Sequence, residues 1–88
     1  MIVSKAFPAS TSSATLLEAK SGRKYVAVQN HDTSNSVCVT FGGENAVIST
    51  PNGMVIKAEE FGEIIGNLSG KLTIISETSA VNTTLFSD

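Results

Sequence analysis

Residue types that build most active sites are scarce in this sequence. It contains no tryptophan, one tyrosine, one cysteine (Cys38) and one histidine (His31). A single cysteine excludes a disulfide within the chain, and a single histidine leaves too few ligands for an ordinary zinc site. A Ser-His-Asp triad would have to use His31, which lies in a polar turn without a nucleophile elbow. We therefore predict a protein that is not an enzyme and carries no metal or cofactor.

The remaining candidates for chemistry lack partners in the sequence. In an extended segment Glu59 and Glu60 point to opposite faces, so they do not form an acid-base pair. Cys38 lies between Val37 and Val39 in a predicted strand, where a cysteine is usually a small buried hydrophobe. None of these residues is predicted to be catalytic.

Charge and long apolar runs are also in short supply. Charged residues make up 16% of the chain and the formal net charge is −2, whereas a typical soluble domain has about 25% charged residues. No basic run extends beyond Arg23-Lys24, so we expect no nucleic-acid partner. No apolar run approaches the roughly 18–20 residues that span a bilayer. The segment Met1–Pro8 does not have the pattern of a secretory signal, so synthesis in the cytoplasm and no membrane partner are expected.

The length indicates one domain, residues 1–88, that is small for independent folding. A chain of this size buries only about 60–65% of its unfolded surface, and small domains compensate with disulfides, metals or association. Association is the route left open here. A surface rich in Ser, Thr and Asn suits a partner interface, because uncharged polar groups cost less to desolvate than ions. It is equally the ordinary surface of a β-protein.

Turn residues recur at short intervals between runs rich in Val, Ile, Thr and Phe, a spacing typical of an all-β sandwich or barrel. No run of helical length has helical periodicity, and residues 58–61 are expected to form one helical turn at most. The candidate strands are Ile2–Phe7, Thr15–Ala19, Lys24–Gln29, Val37–Phe41, Val47–Ser49, Met54–Ile56, Glu63–Ile65, Lys71–Ser76 and Asn82–Phe86.

Alternation along the strands predicts which residues are buried and which meet a partner. Val37, Val39 and Phe41 share one face of their strand. The run Tyr25–Val28 is apolar on both faces, as expected of a strand covered by a loop or by a neighbouring subunit. Residues 1–13 are either an N-terminal arm that reaches a neighbour or an edge strand of their own sheet. The predicted interface residues are Ile2, Val3, Phe7, Tyr25, Ala27, Ile65 and Phe86.

Two segments carry a resemblance to a known group of proteins. The stretch Gly22–Asn30, followed by Asn35–Gly42, resembles a pattern recurrent in small virion proteins of tailed phages. In that pattern an Arg-led strand ends in Gln-Asn and a second strand ends in Phe-Gly. Thr50–Ile56 and Gly66–Glu77 are also similar to later elements of such proteins. The resemblance implies a small antiparallel β-sandwich, jelly-roll-like, with about eight short strands and no catalytic residues.

The resemblance also implies a place in a phage particle. It implies a virion structural protein, foremost a capsid decoration or cement subunit on the capsid surface. Its partners would be the major capsid protein or other virion proteins and further copies of itself, with a trimer favoured. Two alternatives stay open. One is a tail- or connector-associated subunit. The other is a glycan-recognising module of a head fibre, spike or tail fibre, with an exposed aromatic or an Asn/Asp-rich pocket formed by the loops 30–35 and 42–45.

Overall fold

The computed structural model describes residues 1–78 and 80–88, and in this part of the chain all regular structure is β. The strands are β1 (Val3–Ala9), β2 (Ala14–Leu17), β3 (Tyr25–Asn30), β4 (Val37–Thr40), β5 (Met54–Ile56), β6 (Phe61–Ile65), β7 (Leu72–Ser76) and β8 (Val81–Ser87).

The strands form two four-stranded sheets, with the orders β1-β8-β3-β6 and β2-β7-β4-β5. First pairs with last, second with seventh, third with sixth and fourth with fifth, all antiparallel. The chain is therefore one long antiparallel hairpin rolled into two layers, which is the strand order of a jelly roll. The predicted all-β sandwich is confirmed.

The core lies between the two sheets and is built from alternate strand residues. Val26 and Val28 of β3 face Val37 and Val39 of β4, and all four are fully buried. Phe41 packs against the margin of this cluster, in line with the predicted alternation. Burying one such valine or isoleucine side chain contributes about 1.5–3 kcal/mol before entropy is counted. The other buried members are Ala9, Leu16, Ile56, Leu68, Leu72, Ile74, Val81 and Leu85.

The predicted strand Val47–Ser49 is wrong, because this segment belongs to a loop between β4 and β5. The side chain of Asn52 takes the place of a neighbouring strand here. Its Oδ1 accepts from the Val47 N–H at 2.9 Å and its Nδ2 donates to the Asn45 carbonyl at 2.9 Å. Local bonds to an Asn side chain satisfy the backbone without a ladder, which a pattern of apolar residues does not reveal.

The first strand runs past Pro8, where the sequence pattern predicts an end at Phe7. The His31 N–H donates to the Asn82 carbonyl (3.0 Å) and the Asp88 N–H donates to the Tyr25 carbonyl (3.4 Å). These bonds show that the backbone N–H and C=O groups of even-numbered residues of β8 point toward β3. The odd-numbered residues of β8 therefore form their backbone hydrogen bonds with the odd-numbered residues of β1. Pro8 faces the open edge, where no N–H is needed, and proline is tolerated there. Residues Val3–Ala9 are thus an edge strand of the domain.

Two buried polar side chains hold the loops. Arg23, only 4% exposed, donates to the carbonyls of Glu18 (2.6 Å), Leu68 (3.2 Å) and Gly70 (3.3 Å). At this position the guanidinium joins two connecting segments of the fold, and it is not displayed to a phosphate.

The second of these side chains, Asn30, is fully buried at the end of β3. Its Nδ2 donates to the carbonyls of Asn35 (2.8 Å) and Ile56 (3.1 Å), and its Oδ1 accepts from the Asp32 N–H (2.9 Å). One amide thereby anchors the β3–β4 turn to the end of β5.

We expect Asn30→Ala to lower the free energy of unfolding by about 2–3 kcal/mol, because it leaves buried backbone groups without partners. The measurement is urea denaturation followed by circular dichroism. Asn82→Ala, on the exposed face of β8, is the matched control and should change stability by less than about 0.5 kcal/mol. Equal effects of the two substitutions would contradict the anchoring role of Asn30.

Candidate protein-protein interface

The outer faces of the two sheets differ in how far the chain itself covers them. On the outer face of β2-β7-β4-β5, Cys38, Thr40 and Thr73 are buried. The loop between β4 and β5 is bound to this side, since the Thr73 hydroxyl donates to the Glu44 carbonyl at 2.6 Å and the Ala46 N–H donates to Ser13 Oγ at 2.8 Å. The loop between β4 and β5 therefore covers much of the outer face of this sheet.

The outer face of β1-β8-β3-β6 instead exposes a group of large side chains that we call the aromatic face: Tyr25, Phe61, Ile65 and Phe86. The pairing register places Ile65 beside Tyr25 and sets Phe61 and Phe86 on the two strands that flank β3. Ile65 is 75% exposed and Phe61 is 50% exposed. The rings of Phe61 and Phe86 meet edge to face with centroids 5.9 Å apart. Clustered exposed apolar side chains of this kind mark interaction sites.

Four of the predicted interface residues are brought to this one face: Tyr25, Ala27, Ile65 and Phe86. Ala27 lies between Phe86 and Glu63 in the register and is 0% exposed. Its methyl group is too short to reach past the larger neighbours. We therefore correct the predicted set, because Ala27 is part of the floor of the aromatic face and offers no surface to a partner.

The other predicted interface residues lie at the far edge of the same sheet. Ile2 and Val3 are 54% and 57% exposed at the start of β1. Phe7 is half-buried and packs against the core cluster, so most of its surface is used within the domain. The structure thus separates the predicted residues into the aromatic face and the beginning of β1.

Sequence reasoning missed Phe61, because its candidate strand begins at Glu63 and it allows residues 58–61 one helical turn at most. The signal was present in the alternation of Phe61, Glu63 and Ile65 against Gly62 and Ile64. This alternation is hard to recognise because Gly62, which lies on the inner face, has no side chain and so does not count as an apolar residue. Gly62 lies against Ile56 and Met54, whose side-chain atoms would come within 2.9 Å of an added Cβ. Residues 58–61, which the sequence allows one helical turn at most, contain a turn at Ala58–Glu59 that leads into β6.

Polar contacts on the aromatic face hold its side chains in place. The Tyr25 hydroxyl donates to Glu63 Oε2 at 2.7 Å, across the β3–β6 pair. This hydrogen bond, with smaller contributions from burial and from the negative charge of Glu63, raises the pKa of the Tyr25 phenol. His31 Nε2 lies 2.7 Å from Thr84 Oγ1 on the same side of the sheet.

The other residues weighed for chemistry have structural surroundings. Asp32 Oδ1 accepts from the N–H groups of Ser34 (2.7 Å) and Asn35 (2.9 Å), and these bonds lower the pKa of its carboxyl. Cys38 is fully buried, with Sγ 3.8 Å from Thr40 Oγ1. Among residues 1–78 and 80–88, no group of three or more His, Cys, Asp or Glu side chains is arranged to hold a metal. The same residues contain no helix long and apolar enough to cross a membrane.

The two loops predicted to form a glycan pocket do not meet. Residues 30–35 precede β4 and residues 42–45 follow it. They lie at opposite ends of a four-residue strand, which spans roughly 13 Å. A pocket shared by these loops is therefore not formed.

No protein-family model matches the chain, and comparison with curated proteins finds no relative. One solved structure is similar: that of Bacillus endospore appendages, described as a novel family of disulfide-linked pili. The alignment covers 99% of this chain and 80% of that one, with a TM-score of 0.57 and 14% identity. At this identity the likeness shows a shared fold.

The Tyr25–Glu63 bond gives a direct test of the aromatic face. Tyr25 is the only tyrosine and the chain has no tryptophan, so absorbance near 295 nm reports this phenol alone. We expect its titration midpoint to lie above the ordinary value of 10.0, because ionisation breaks the bond and places a second negative charge beside Glu63.

Glu63→Gln should bring that midpoint back toward the ordinary value, whereas Glu59→Gln on the adjoining turn should leave it raised. Since the folded-state pKa is the higher one, the bond stabilises the fold fully below the unfolded pKa, and this stabilisation is lost as pH rises through the folded pKa. An unchanged midpoint in Glu63→Gln would contradict the bond.

Proposed function

We propose that this chain is a non-enzymatic structural subunit of a multicopy protein assembly, and that the aromatic face is its main contact surface. The observation that carries the proposal is the difference between the sheets. The chain covers much of the outer face of one sheet with its own loop, where Val55 is 38% exposed, and leaves the larger and more exposed Phe61 and Ile65 on the other.

The contact chemistry of the aromatic face fits such a role. Ile65 and Phe61 offer apolar area, and Tyr25 is held in place by Glu63. Aromatic side chains positioned in advance lose little conformational entropy on binding, and they are enriched at protein-protein contacts. One small contact is weak, but repetition over many equivalent sites makes the assembly stable.

The specific assembly we propose first is a phage virion, in which the subunit decorates the capsid surface and contacts the major capsid protein. This step rests on the resemblance of residues 22–42 and 50–77 to small virion proteins. By bridging neighbouring capsid subunits, each copy would add binding energy that opposes expansion of the shell.

A second candidate is a subunit of a filament, favoured by the shared fold with endospore appendages. Those pili are described as disulfide-linked, but the one cysteine of this chain, Cys38, is fully buried. Association of folded copies of this chain would therefore be non-covalent.

The test of the virion role is co-sedimentation of purified protein with capsids that lack it. We expect saturable pelleting at micromolar concentration. The double substitution Phe61→Ser and Ile65→Ser should weaken it about tenfold or more, because it removes the most exposed apolar side chains of the aromatic face.

The matched control is Val55→Ser, which removes an exposed apolar side chain from the other sheet (Val55 is 38% exposed) and should bind like the unmodified chain. Absence of pelleting would overturn the virion role. Electron microscopy of the concentrated protein tests the second candidate, and a field without filaments would count against it.

A further inference from the structure

We propose that copies of this chain join head to tail, by pairing of the open edge of β6 with the open edge of β1 of the next copy. The inference rests on the proposed structural role and specifies its partner, a second copy. The two strands are the outer strands of one sheet, β1-β8-β3-β6, so each copy brings one of each edge.

The open edge of β6 is set by its pairing with β3. The Gly66 N–H donates to the Lys24 carbonyl (3.0 Å) and the Asn30 N–H donates to the Glu60 carbonyl (2.9 Å). The backbone N–H and C=O groups of even-numbered residues of β6 therefore form hydrogen bonds with β3. The backbone N–H and C=O groups of Phe61, Glu63 and Ile65 point away from the sheet, and such an edge is a template for another strand.

The open edge of β1 presents the even-numbered residues, as the pairing of its odd-numbered residues with β8 requires. Ser4 and Ala6 direct both an N–H and a C=O outward. Pro8 directs only a C=O outward, because proline has no N–H. Residues 2–6 are thus able to pair fully with a new strand, and the strand is blunted after them.

The directions and faces of the two edges agree without any rearrangement. Neighbouring strands in the sheet are all antiparallel, so β1 of a second copy, placed beside β6 in the same orientation, is antiparallel to it. The outward residues of both edges carry their side chains on the outer face of the sheet. Hydrogen-bonded partners must have side chains on the same face, and this condition is met.

The position of Pro8 selects one register. Phe61, Glu63 and Ile65 each find a partner with a free N–H only when they lie opposite Ala6, Ser4 and Ile2 of the next copy. A shift by two residues in one direction places Pro8 opposite Phe61, and a shift in the other direction pairs only Phe61 and Glu63, with Ser4 and Ile2. The selected register allows about six backbone hydrogen bonds, two for each paired residue.

Side-chain chemistry supports the same register. It sets Ile64 and Ile65 beside Val3 and Ile2 of the next copy, apolar against apolar, and both Val3 and Ile2 are more than half exposed in the free chain. Glu63, the only charged residue of β6, lies opposite Ser4, and Lys5, the only charged residue of β1, lies opposite Gly62, so no like charges face each other.

The surface beyond the end of β6 also accommodates this register. It places Met1 of the next copy opposite Gly66, at a recess of about 330 Å³ lined by Ile65, Gly66 and Arg23 among others. Met1 is fully exposed in the free chain. In the proposed pairing, the side chain of Met1 from the next copy covers this recess.

Other edge pairings are less favourable. Two β6 edges related by a two-fold axis would set Glu63 against Glu63, and like charges directly opposite are destabilising. Two β1 edges could pair through residues 2–6, with Ser4 opposite Ser4, but such a dimer would leave the open edges of both β6 strands unpaired. In the other sheet, β5 has three residues and the register of β2 with β7 is interrupted between Thr15 and Leu17. Repeated head-to-tail pairing gives a ring or a helical filament, depending on the rotation between copies.

The test uses two edge-blocking variants and their mixture. Ala6→Pro removes an outward N–H of β1, as Pro8 already does two residues on, and Glu63→Pro removes an outward N–H of β6. In sedimentation velocity from about 10 µM to about 1 mM, we expect the unmodified chain to grow in mass with concentration and each variant to associate about tenfold or more weakly. An equimolar mixture should form a heterodimer that grows no further, because each variant keeps the edge that the other has lost.

Controls separate edge blocking from unfolding and from side-chain effects. Val55→Pro alters an outward residue of the β5 edge and should associate like the unmodified chain. Glu63→Gln keeps the outward N–H at position 63 and should associate more strongly than Glu63→Pro. Circular dichroism checks that each variant is folded. Undiminished association of Ala6→Pro, no heterodimer in the mixture, or equal loss in Val55→Pro would overturn the head-to-tail pairing.

The outcomes also separate this inference from the proposed function. An unmodified chain that stays monomeric at about 1 mM but pellets with capsids would overturn the edge pairing and support the structural role. A heterodimer from the mixture, together with no binding to capsids, would support the edge pairing and overturn the virion role alone.

Discussion

The pairing of backbone polar groups is the constraint on which this structure depends. An 88-residue chain without a disulfide or a described helix must satisfy its N–H and C=O groups mainly through strand pairing. Rolling one long antiparallel hairpin into two sheets accomplishes this for the central strands β8, β3, β7 and β4. It also leaves four edge strands, and each edge must be blunted, covered or used. The bulge in β2, the shortness of β5 and the proline in β1 are ways of limiting edges, whereas β6 has none of these features.

The lengths of the connections explain why the two outer faces differ in how far the chain covers them. The loop between β4 and β5 folds onto one sheet, held by side-chain bonds from Asn52, Thr73 and Ser13. Connections elsewhere are too short to cover the opposite sheet, so Phe61 and Ile65 remain exposed. A domain of this size has few apolar residues beyond those its core requires. Large apolar side chains on the outside are therefore what the proposed contact surface uses.

Association through such an edge and such a face is non-covalent, and the assembly becomes more stable as the number of contacts for each subunit increases. The endospore appendage structure shows that the fold occurs in a polymer described as disulfide-linked. In this chain the cysteine is fully buried on the outer side of its sheet. Our proposals therefore join copies by backbone pairing at an edge together with apolar contact on a face. Such contacts are individually reversible, so an assembly built from them depends on subunit concentration and on multiple contacts per subunit.

The sequence by itself determined the fold class, most strand positions and the core, because alternation of apolar residues in Val37–Phe41 and Leu72–Ile74 reports directly which side of a strand is buried. It also indicated Tyr25, Ile65 and Phe86 as surface candidates. It could not show that Ala27 lies below its neighbours, that Phe61 joins the same face, or that residues 47–49 bond to Asn52. Those facts depend on which residues lie across the sheet or across a loop. Only the tertiary structure decided which outer face the chain covers and which strand edges stay open, since both follow from how distant segments are brought together.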